Sequence, residues 1–453
     1  MKEGLVRVSA VVLAAGKGTR MLSGYPKVLH EICGKSLLYY TLKLLKSLPA
    51  RQPVRTDVHP GGVTRSGGDD AIRKSVKLNG IYVVVGYESD KVKNTFRNED
   101  VRWVTQEKLL GTGNALIVTQ SLLKDIDGII LVVCGDTPLL TAETLMKLIQ
   151  VHMDSPKSAA TILTCQLDNP TGYGRILKDK RGRVKGIIEE REANETQKRI
   201  KEINTGTYIF NSSVFKTLEK TNPHSKNGEY YLTDAIEILA KEGGNIKTYL
   251  EENASECLGI NTYDELTVVG KLMRQRIINE LIQKGVIIVS PENIYIEEGV
   301  TIGKGTVIYP FSVIRSNVKI GERCQIGPFS HLRSGTVLED GAAVGNFTEI
   351  KKTRLGMNSK AKHLSYLGDA IIGNDVNIGA GTITANFDGV RKEQTIIEDG
   401  ASTGSGTILI APLKMGKNTR TGAGAVVPKG ENIPEGVTVV GVPAKPLKSK
   451  KKI

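Results

Sequence analysis

The sequence predicts two folds in one chain: an α/β, Rossmann-like domain with a mostly parallel sheet, and then a parallel β-helix. Three observations carry this prediction. In the N-terminal part of the 453 residues, strand-like apolar runs alternate with helical patterns, which is typical of a doubly wound sheet. Further along, an aliphatic residue recurs at every sixth position, which is typical of a repeated β architecture. Glycine is abundant, at 49 residues, and aromatic residues make up only 5%, as tight turns around a narrow core would require.

The first element is an apolar run over residues 6–15, short enough for a buried parallel strand. It leads into a glycine-rich turn in which small residues let backbone N–H groups approach an anion, while Lys17 and Arg20 add positive charge. The turn is neither a Walker A motif, because Lys17 is followed by glycine, nor a dinucleotide fingerprint, because Met21 replaces its third glycine. A simple βα connection is the alternative, but Lys27 places a further cation nearby and favours an anion site.

Further strands are predicted at 81–85, 101–104 and 129–133, with helices at 37–48 and 141–152. Ligands of such sheets bind beyond the carboxyl ends of the strands. Asp136 follows the third of these strands, where a carboxylate can hold Mg²⁺ on a nucleotide phosphate, although a helix-capping or turn aspartate is the alternative.

Residues 49–80 interrupt this alternation. The first part of the segment is rich in proline and glycine and has almost no apolar pattern, which predicts a flexible loop or insertion. No function is assigned to it.

A long helix is predicted after the α/β part. Thr262 and Glu265 have the spacing of a capping box, and apolar residues follow at helical spacing up to Gly285. We therefore expect a nucleotide-binding domain over 1–261, a linker helix over 262–285 and a β-helix domain over 286–453.

The six-residue period defines the second domain. From 302 to 350, every sixth residue is aliphatic, at nine positions in all. The pattern slips by one residue near Leu355, and a loop at about 385–394 interrupts it before it continues from 397 to 427. This is the hexapeptide signature of a parallel β-helix, whose inward aliphatic residues fill a prism too narrow for large rings. Glycines are expected at its corners.

Composition excludes several classes of function. The net charge is +14, but in the C-terminal half the excess lies in a lysine tail from Lys445, so we expect no nucleic-acid partner. The five cysteines form no C-x-x-C pair and the six histidines do not cluster with them, which argues against zinc and disulfides. No signal peptide and no apolar run of about 18 residues is present, so a cytoplasmic protein without membrane insertion is expected.

Nine short motifs occur in order along the N-terminal part. They are Leu13-Ala-Ala-Gly-Lys-Gly-Thr-Arg-Met21, Pro26-Lys-Val-Leu-His30, Gln106 with Leu110-Gly-Thr-Gly113, Gly135-Asp-Thr-Pro-Leu139, Asn169-Pro-Thr-Gly-Tyr-Gly-Arg175, Glu189, Glu202-Ile-Asn-Thr-Gly206, Gly228-Glu-Tyr-Tyr-Leu-Thr-Asp234 and Gly259-Ile-Asn261. Together they resemble the sugar-nucleotide pyrophosphorylase domain of the bifunctional N-acetylglucosamine-1-phosphate uridyltransferase and glucosamine-1-phosphate acetyltransferase family. The resemblance extends over essentially the whole chain.

The resemblance implies a uridylyl-transfer site in the N-terminal domain, with UTP as co-substrate and Mg²⁺ as cofactor. Arg20 and Lys27 would be catalytic and meet the triphosphate, and Asp136 and Asn261 would ligate the metal. The residues that would hold uridine and the amino sugar are Leu13, Ala14, Ala15, Gly16, Lys27, Gln106, Gly111, Thr112, Gly174, Glu189, Asn204 and Asn261. Such a reaction needs positioned charges and no covalent nucleophile.

The resemblance also implies an acetyl-transfer site where the six-residue period is broken. A lone histidine is more often structural, but together with its neighbouring motifs His363 matches a general base for the glucosamine amine, assisted by Tyr366. Arg333, Lys351 and Lys392 would bind the sugar phosphate. The remaining residues expected around the acceptor and acetyl-CoA are Asn377, Ala380, Asn386, Phe387, Ser405 and Ala423. Phe387 stands where the family often has tyrosine, and Gly441 stands where some members have an arginine that meets the coenzyme.

The family further implies a left-handed coil and a homotrimer. The leading hypothesis is a two-reaction enzyme that acetylates glucosamine-1-phosphate and then converts the product to UDP-N-acetylglucosamine. An alternative keeps only the nucleotidyltransferase, with the β-helix serving assembly or regulation. A third possibility, a non-enzymatic trimeric scaffold, would leave both predicted sites without a role.

Overall fold

The structure, a computed structural model, describes residues 5–21, 23–48, 75–155, 157–224 and 228–447. The chain forms two compact units that divide between Val269 and Gly270. Most of the predicted insertion, residues 49–74, lies outside the described residues.

The N-terminal unit is built from strands and helices in alternation and ends within a 21-residue helix, α9. Its elements are β1 (Leu5–Leu13), β2 (Glu31–Ile32), β3 (Lys35–Ser36), α1 (Leu37–Lys46), β4 (Ser75–Val85), α2 (Ser89–Thr95), β5 (Arg102–Thr105), α3 (Gly111–Ile117), α4 (Gln120–Leu123), β6 (Ile129–Cys134), α5 (Ala142–Met153), β7 (Ser158–Gln166), β8 (Gly174–Lys178), β9 (Val184–Ile188), α6 (Glu195–Lys198), β10 (Glu202–Asn211), α7 (Val214–Leu218), α8 (Leu232–Lys241), β11 (Asn245–Glu251) and α9 (Tyr263–Gln283).

The main sheet has the strand order β11-β7-β10-β6-β1-β4-β5. All its neighbouring strands are parallel except at β10, which is antiparallel to both β6 and β7. The hairpin β8–β9 joins the sheet through β8, which pairs with β10. The predicted mostly parallel α/β sheet is therefore confirmed.

The two faces of this sheet are both buried, which explains the continuous apolar run in β1. Val8, Ala10 and Val12 pack into a core on one face together with residues of α1 and α5. Val11 packs into a second core on the opposite face together with residues of α3 and α8. Helices on both faces make this a doubly wound fold.

Two strand boundaries differ from the sequence prediction. β1 ends at Leu13, so Ala14 and Ala15 belong to the glycine-rich turn. β4 begins at Ser75 rather than at residue 81, because residues 75–80 continue the ladder beside β1. The segment that interrupts the alternation therefore ends before Ser75 and not at residue 80, and its first part, predicted to be a flexible loop or insertion, lies outside the described residues.

The predicted capping box begins α9 as expected. The backbone N–H of Glu265 donates to Thr262 Oγ1 at 3.2 Å, and the backbone N–H of Thr262 donates to Glu265 Oε2 at 3.0 Å. These two bonds satisfy N–H groups that the helix itself leaves without partners.

The C-terminal unit is a stack of very short strands, which pair in parallel except for the antiparallel pair β35–β36 at its end. They are β12 (Ile287–Ile288), β13 (Tyr295–Ile296), β14 (Thr301–Ile302), β15 (Val307–Ile308), β16 (Val313–Ile314), β17 (Lys319–Ile320), β18 (Gln325–Ile326), β19 (His331–Leu332), β20 (Val337–Leu338), β21 (Ala343–Asn346), β22 (Glu349–Lys351), β23 (Arg354–Leu355), β24 (Lys360–His363), β25 (Tyr366–Gly368), β26 (Ala370–Ile372), β27 (Asn377–Ile378), β28 (Ile383–Ala385), β29 (Thr395–Ile397), β30 (Ile408–Ile410), β31 (Leu413–Met415), β32 (Arg420–Thr421), β33 (Val426–Val427), β34 (Asn432–Ile433), β35 (Thr438–Val440) and β36 (Lys445–Pro446).

Each strand pairs with the strand three elements later in most of the stack, so three sheets form the faces of a left-handed parallel β-helix. Ile302 lies beside Ile320, and Ile320 beside Leu338, so one coil takes 18 residues. The next coil on this face is one residue shorter, because Leu338 pairs with Leu355. All nine residues of the six-residue series from 302 to 350 are buried, as predicted.

The corners of the β-helix depend less on glycine than the sequence suggests. Left-handed φ angles occur at glycines but also at larger residues, including Phe311, Phe329 and Phe347 at 61°, 55° and 55°. These three rings stack on one another with centroid separations of 4.9 and 5.2 Å. Rings are thus tolerated on the outer corner of the narrow prism.

Candidate functional site

The N-terminal unit contains a cavity of about 600 Å³ at the carboxyl ends of β1 and β6. Eleven of the fourteen residues that the sequence assigned to uridylyl transfer line it. They are Leu13, Ala14, Ala15, Gly16, Arg20, Lys27, Gln106, Gly111, Thr112, Asp136 and Asn261.

Four polar side chains converge at one end of this cavity. Lys27 Nζ forms an ion pair with Asp136 Oδ2 and also donates to Asn261 Oδ1 at 2.7 Å. Arg20 Nη2 donates to the same Asn261 oxygen at 2.7 Å. The Lys27 and Asp136 side chains are only 13% and 19% exposed, so this charged pair is partly removed from water and weakly screened.

Asp136 and Asn261 meet the requirement for a shared cation site. Both present an oxygen to the same ammonium nitrogen, so the two oxygens can approach one cation. A carboxylate and an amide oxygen are hard donors of the kind Mg²⁺ uses, and Mg²⁺ usually completes its shell with water and substrate phosphates. The residues present therefore fit the implied Mg²⁺.

Gln106, which also lines the cavity, is held in place by hydrogen bonds. It is buried, and its Nε2 donates to the backbone oxygen of Gly111 at 3.0 Å and to Asn114 Oδ1 at 2.8 Å. These two donations orient the carboxamide and use both N–H groups of Nε2, which leaves Oε1 as the acceptor of the side chain. Gly111 itself has φ +88°, and a Cβ atom there would come within 2.6 Å of the Tyr230 backbone oxygen.

The other three predicted residues, Gly174, Glu189 and Asn204, do not line this cavity but form a cluster of their own. Gly174 pairs with Asn204 in the sheet, and a Cβ atom built on Gly174 would lie 3.6 Å from Glu189 Oε1. Burial raises the pKa of Glu189, although Thr233 Oγ1 donates to its carboxylate at 3.2 Å.

This cluster is connected to the cavity through two hydrogen bonds. Gly206 N donates to Asn204 Oδ1 at 3.2 Å, and the thiol of Cys134, a residue of the cavity wall, contacts the Gly206 oxygen at 3.5 Å. The cluster of Gly174, Glu189 and Asn204 thus lies next to the cavity wall at Cys134.

Several residues that line the cavity were not assigned a role from the sequence. They are Gly18, Thr19, Val28, Leu109, Ala115, Cys134, Glu229 and Tyr231. Lys17, which was predicted to add positive charge at the turn, also lines the cavity. Glu229 and Tyr231 belong to a motif quoted above, but the spacing of residues in the sequence does not predict that this motif lines the cavity. The contact depends on backbone pairing, because Gly113 N donates to the Tyr230 oxygen and Tyr230 N donates to the Leu110 oxygen, both at 2.8 Å.

His224 forms a second polar network near this motif. Its Nδ1 lies 2.9 Å from Glu192 Oε1 and its Nε2 lies 2.9 Å from Asp234 Oδ2. Burial lowers the pKa of His224, but the hydrogen bond and the charge of Asp234, with those of Glu192, outweigh it and raise the pKa overall.

In the β-helix, four of the predicted residues occupy one corner in successive coils. Asn346 lies beside His363, and the pairing of Ala361 with Ile378 places Ala380 in the next coil. The bridges from Asn377 to Ser402 and from Ser402 to Arg420 extend this column to Ser405 and Ala423. We call the residues His363, Ala380, Ser405 and Ala423 the corner column.

Tyr366 and Asn386 approach each other at Gly368. A Cβ atom on Gly368 would lie 2.6 Å from the Tyr366 hydroxyl oxygen and 2.9 Å from Asn386 Nδ2. Asn386 is buried and donates through Nδ2 to Asp369 Oδ2. Any side chain at residue 368 would therefore displace both predicted site residues.

The three predicted phosphate-binding residues carry positive charges close together. Contact with the Lys392 ammonium lowers the pKa of Lys351, and the charge of Arg333 lowers it further. Arg333 Nη1 donates to Glu349 Oε1 at 2.8 Å. A group of like charges held this close favours a doubly charged anion such as a phosphate.

Phe387 and Asn377 are both exposed. Phe387 pairs with Lys392 within the loop that interrupts the six-residue period. Asn377 lies on β27, three residues before Ala380 on the same coil.

The fold and these two sites define a transferase with a nucleotidyltransferase domain followed by a hexapeptide-repeat domain. Residues 9–255 match the family of nucleotidyl transferases, and residues 317–352 match the bacterial transferase hexapeptide family. The chain is 42% identical to the bifunctional protein GlmU of Lactococcus lactis subsp. cremoris (strain SK11) over 95% of both chains. It is 38% identical to the proteins of that name from Geobacillus thermodenitrificans (strain NG80-2) and Bacillus subtilis (strain 168), over 93% and 92% of both chains.

The chain belongs to this family of bifunctional GlmU proteins. It is an enzyme of UDP-N-acetylglucosamine synthesis with glucosamine-1-phosphate acetyltransferase and N-acetylglucosamine-1-phosphate uridyltransferase activities, as the sequence predicted. In the described part of the chain, no helix combines the length and apolar character that crossing a membrane requires.

Proposed function

We propose that uridylyl transfer takes place in the cavity of the N-terminal unit, with the residues in the roles that the sequence suggested. The backbone of residues 13–16 with Gln106, Gly111 and Thr112 holds uridine. Gly174, Glu189 and Asn204 hold the amino sugar. Lys27 and Arg20 contact the triphosphate.

In this reaction, a phosphate oxygen of N-acetylglucosamine-1-phosphate attacks the α-phosphorus of UTP. The new bond joins that oxygen to the α-phosphorus, and the bond from the α-phosphorus to the departing pyrophosphate breaks. Lys27 and Arg20 neutralise the negative charge that develops on the phosphate oxygens, which stabilises the transition state. Mg²⁺ bound by Asp136 and Asn261 would supply further positive charge to the same oxygens.

The observation that carries this proposal is the convergence of Arg20, Lys27, Asp136 and Asn261 on one end of the cavity. Two cations that share the Asn261 oxygen, one of them also paired with the Asp136 carboxylate, suit a triphosphate that arrives with a metal ion. A purely structural ion pair would not require both Arg20 and Lys27 at the Asn261 oxygen.

We propose that acetyl transfer takes place along the corner column. His363 accepts the proton of the glucosamine amine as the nitrogen attacks the acetyl carbon of acetyl-CoA, and the thiolate of coenzyme A leaves. The backbone N–H of Ala380 donates to the oxyanion that develops on the acetyl carbonyl. Ser405 and Ala423 border the coenzyme, Tyr366, Asn377, Asn386 and Phe387 border the acceptor, and Arg333, Lys351 and Lys392 bind its phosphate.

The two activities can be separated by substitution. His363→Ala should abolish acetyl transfer and leave uridylyl transfer intact, while Lys360→Ala on the same strand should leave both intact. Asp136→Asn should abolish pyrophosphate release and leave acetyl transfer intact. Survival of acetyl transfer in His363→Ala would favour a base other than His363, and its absence in the wild type would favour a β-helix that serves assembly or regulation.

Omission of substrates provides an independent test. UDP-N-acetylglucosamine should form from glucosamine-1-phosphate, acetyl-CoA, UTP and Mg²⁺ together. Leaving out acetyl-CoA should stop the first reaction, and leaving out UTP or Mg²⁺ should stop only the second. Full uridylyl transfer after removal of all divalent cations would contradict the role given to Asp136 and Asn261.

We also propose a homotrimer in the cytoplasm. Phe311, Phe329, Phe347 and Leu364 form an outer corner on which each side chain is 44–63% exposed in the single chain, and such an apolar strip is typical of an interface. The five free cysteines suit a reducing compartment. Sedimentation should give a trimer for the wild type and smaller species for Phe329→Asp.

A further inference from the structure

We propose that Glu265 is a positioning residue for uridylyl transfer: through the backbone of Asn261, it holds the Asn261 carboxamide at the cation-binding end of the cavity. This inference depends on the proposed role of Asn261 as a ligand of the metal ion. It assigns to a helix-capping carboxylate a second task that a capping box does not require.

Glu265 makes one hydrogen bond more than its cap needs. Its Oε2 accepts from Thr262 N at 3.0 Å, which is the ordinary capping bond. The same oxygen also accepts from Asn261 N at 2.5 Å, one residue further from the helix. The carboxylate thereby fixes the backbone of the residue whose side chain enters the cavity.

Asn261 is restrained on its other side as well. The N–H of the preceding residue, Ile260, donates to the backbone oxygen of Asp136 at 3.1 Å. The backbone at 260–261 is thus tied at one end to Asp136 and at the other to Glu265. The hydrogen bond from Ile260 to Asp136 therefore links the backbone beside Asn261 to the backbone of the other proposed metal ligand.

The position of this backbone determines where the Asn261 oxygen lies. The asparagine side chain has only two rotatable bonds, and its Oδ1 already accepts from Arg20 and Lys27 at 2.7 Å each. A displacement of the Asn261 backbone would move Oδ1 away from both cations and from Asp136. Misplacement of a reacting or binding group by about 1 Å is sufficient to cost about 100-fold in rate.

The test compares substitutions of Glu265 in the full-length enzyme. Glu265→Ala should raise the Mg²⁺ concentration for half-maximal uridylyl transfer and lower kcat for this reaction, by about tenfold or more. Glu265→Gln, which keeps an accepting oxygen at the same reach, should restore both values to near those of the wild type. Acetyl transfer in the same preparations should be unchanged.

Two measurements other than activity follow the positioning directly. Hydrogen exchange at the Asn261 amide should be faster in Glu265→Ala than in the wild type or Glu265→Gln. The affinity for Mn²⁺, measured by electron paramagnetic resonance with UDP-N-acetylglucosamine present, should fall in Glu265→Ala alone. An unchanged Mn²⁺ affinity in Glu265→Ala would overturn the proposal.

Two variants separate positioning from helix capping. Thr262→Ala removes the hydroxyl that accepts from Glu265 N but keeps the bond from Asn261 to Glu265. Gln197→Ala removes the matching side-chain bond of another capping box, at Asn194 on α6. Both should leave the Mg²⁺ requirement of uridylyl transfer unchanged. A Thr262→Ala enzyme with the Mg²⁺ requirement of Glu265→Ala would show that helix stability alone explains the effect.

Variants of Asn261 separate this inference from the proposed function. If Asn261→Ala leaves the Mn²⁺ affinity unchanged, Asn261 is not a ligand and the proposed function is wrong at this residue. If Asn261→Ala weakens Mn²⁺ binding and the double variant with Glu265→Ala is no weaker, Glu265 acts through Asn261. Additive losses would overturn the positioning role. Should Glu265→Ala fail to fold, Glu265→Asp, which is one methylene shorter, takes its place in the same comparisons.

Discussion

Lys27 Nζ donates to Asn261 Oδ1 at 2.7 Å, a contact between residues that are 234 positions apart in the chain. The same ammonium group pairs with Asp136. One cation therefore joins the turn after the first strand to the two proposed metal ligands. The proposed catalytic charge of Lys27 is therefore positioned by contacts between distant parts of the chain rather than by a local motif.

Removal of the Lys27 charge should impair uridylyl transfer strongly. Lys27→Met keeps most of the side-chain volume but leaves Asp136 without its ion-pair partner, and loss of one charge-stabilising donor typically costs about 100-fold or more in kcat. Pyrophosphate release measures this loss, with acetyl transfer as the reference activity. Lys35→Met removes a lysine whose ammonium lies 5.3 Å from the centre of the Tyr39 ring, and it should have little effect. A kcat within threefold of wild type in Lys27→Met would contradict the catalytic role.

The affinity of the acetyl-transfer site for glucosamine-1-phosphate should fall as the pH rises toward the lysine range. Contact with Lys392 lowers the pKa of Lys351, so Lys351 loses its proton and its charge at a lower pH than an isolated lysine. Arg333 acts in the same direction, while Asp369 opposes it. Below its lowered pKa Lys351 is charged and attracts the phosphate, whereas above that pKa this attraction is lost.

Calorimetric titration of glucosamine-1-phosphate at several pH values measures this effect. In Lys392→Gln, the affinity should be lower at neutral pH, and its decline should begin at a higher pH because Lys351 regains a more ordinary pKa. Lys360→Gln, an exposed lysine on β24, should keep the wild-type profile. Identical profiles for the wild type and Lys392→Gln would contradict the coupling between the two lysines.

Burial predicts a sharp difference in stability between two adjacent leucines of α4. Leu123 is fully buried, whereas Leu122 is 47% exposed. Leu123→Ala should lower the free energy of unfolding of the N-terminal unit by about 2–5 kcal/mol through lost burial and a residual cavity. Leu122→Ala should change it by no more than about 0.5 kcal/mol. Urea denaturation measures both, and equal effects would contradict the packing described for this helix.

Local patterns in the sequence predicted most of the architecture. The six-residue period predicted the β-helix correctly because each residue of the series from 302 to 350 points inward and is buried. The slip of the period near Leu355 corresponds to the shortened coil between Leu338 and Leu355. The capping box at Thr262 predicted the start of α9 correctly because both of its hydrogen bonds join residues three positions apart. These features depend on a few neighbouring residues and on burial alone.

Long-range pairing limited the prediction elsewhere. Nothing in the sequence of β10 shows that it runs antiparallel to β6 and β7, since a buried strand has the same composition in either direction. Residues 75–80 have only two apolar residues, Val76 and Leu78, and form a strand in which they pair with β1. For the same reason Glu229 and Tyr231 line the cavity without any periodic signal, since backbone pairing between Leu110 and Tyr230 brings them there.

A substitution at Gly111 tests whether the backbone pairing between Leu110 and Tyr230 maintains the proposed UTP site. A Cβ atom at Gly111 would come within 2.6 Å of the Tyr230 backbone oxygen, and the Gly111 oxygen accepts from Gln106. Gly111→Ala should therefore push the segment at Tyr230 away and disturb the orientation of Gln106, raising the KM for UTP by about tenfold, the equivalent of one hydrogen bond. Steady-state kinetics of pyrophosphate release measure this change.

A matched glycine separates the steric clash from backbone strain. Gly243 has φ +81°, close to the +88° of Gly111, but a Cβ atom there would meet nothing within 4 Å. Alanine at either position is strained in the left-handed region, which costs about 1 kcal/mol, so both variants should melt at a lower temperature than the wild type. Only Gly111→Ala should show the higher KM for UTP, because only there does the new methyl group displace a wall of the cavity. An equal rise of KM in Gly243→Ala would mean that general loosening of the unit, rather than the contact between Gly111 and Tyr230, controls UTP binding.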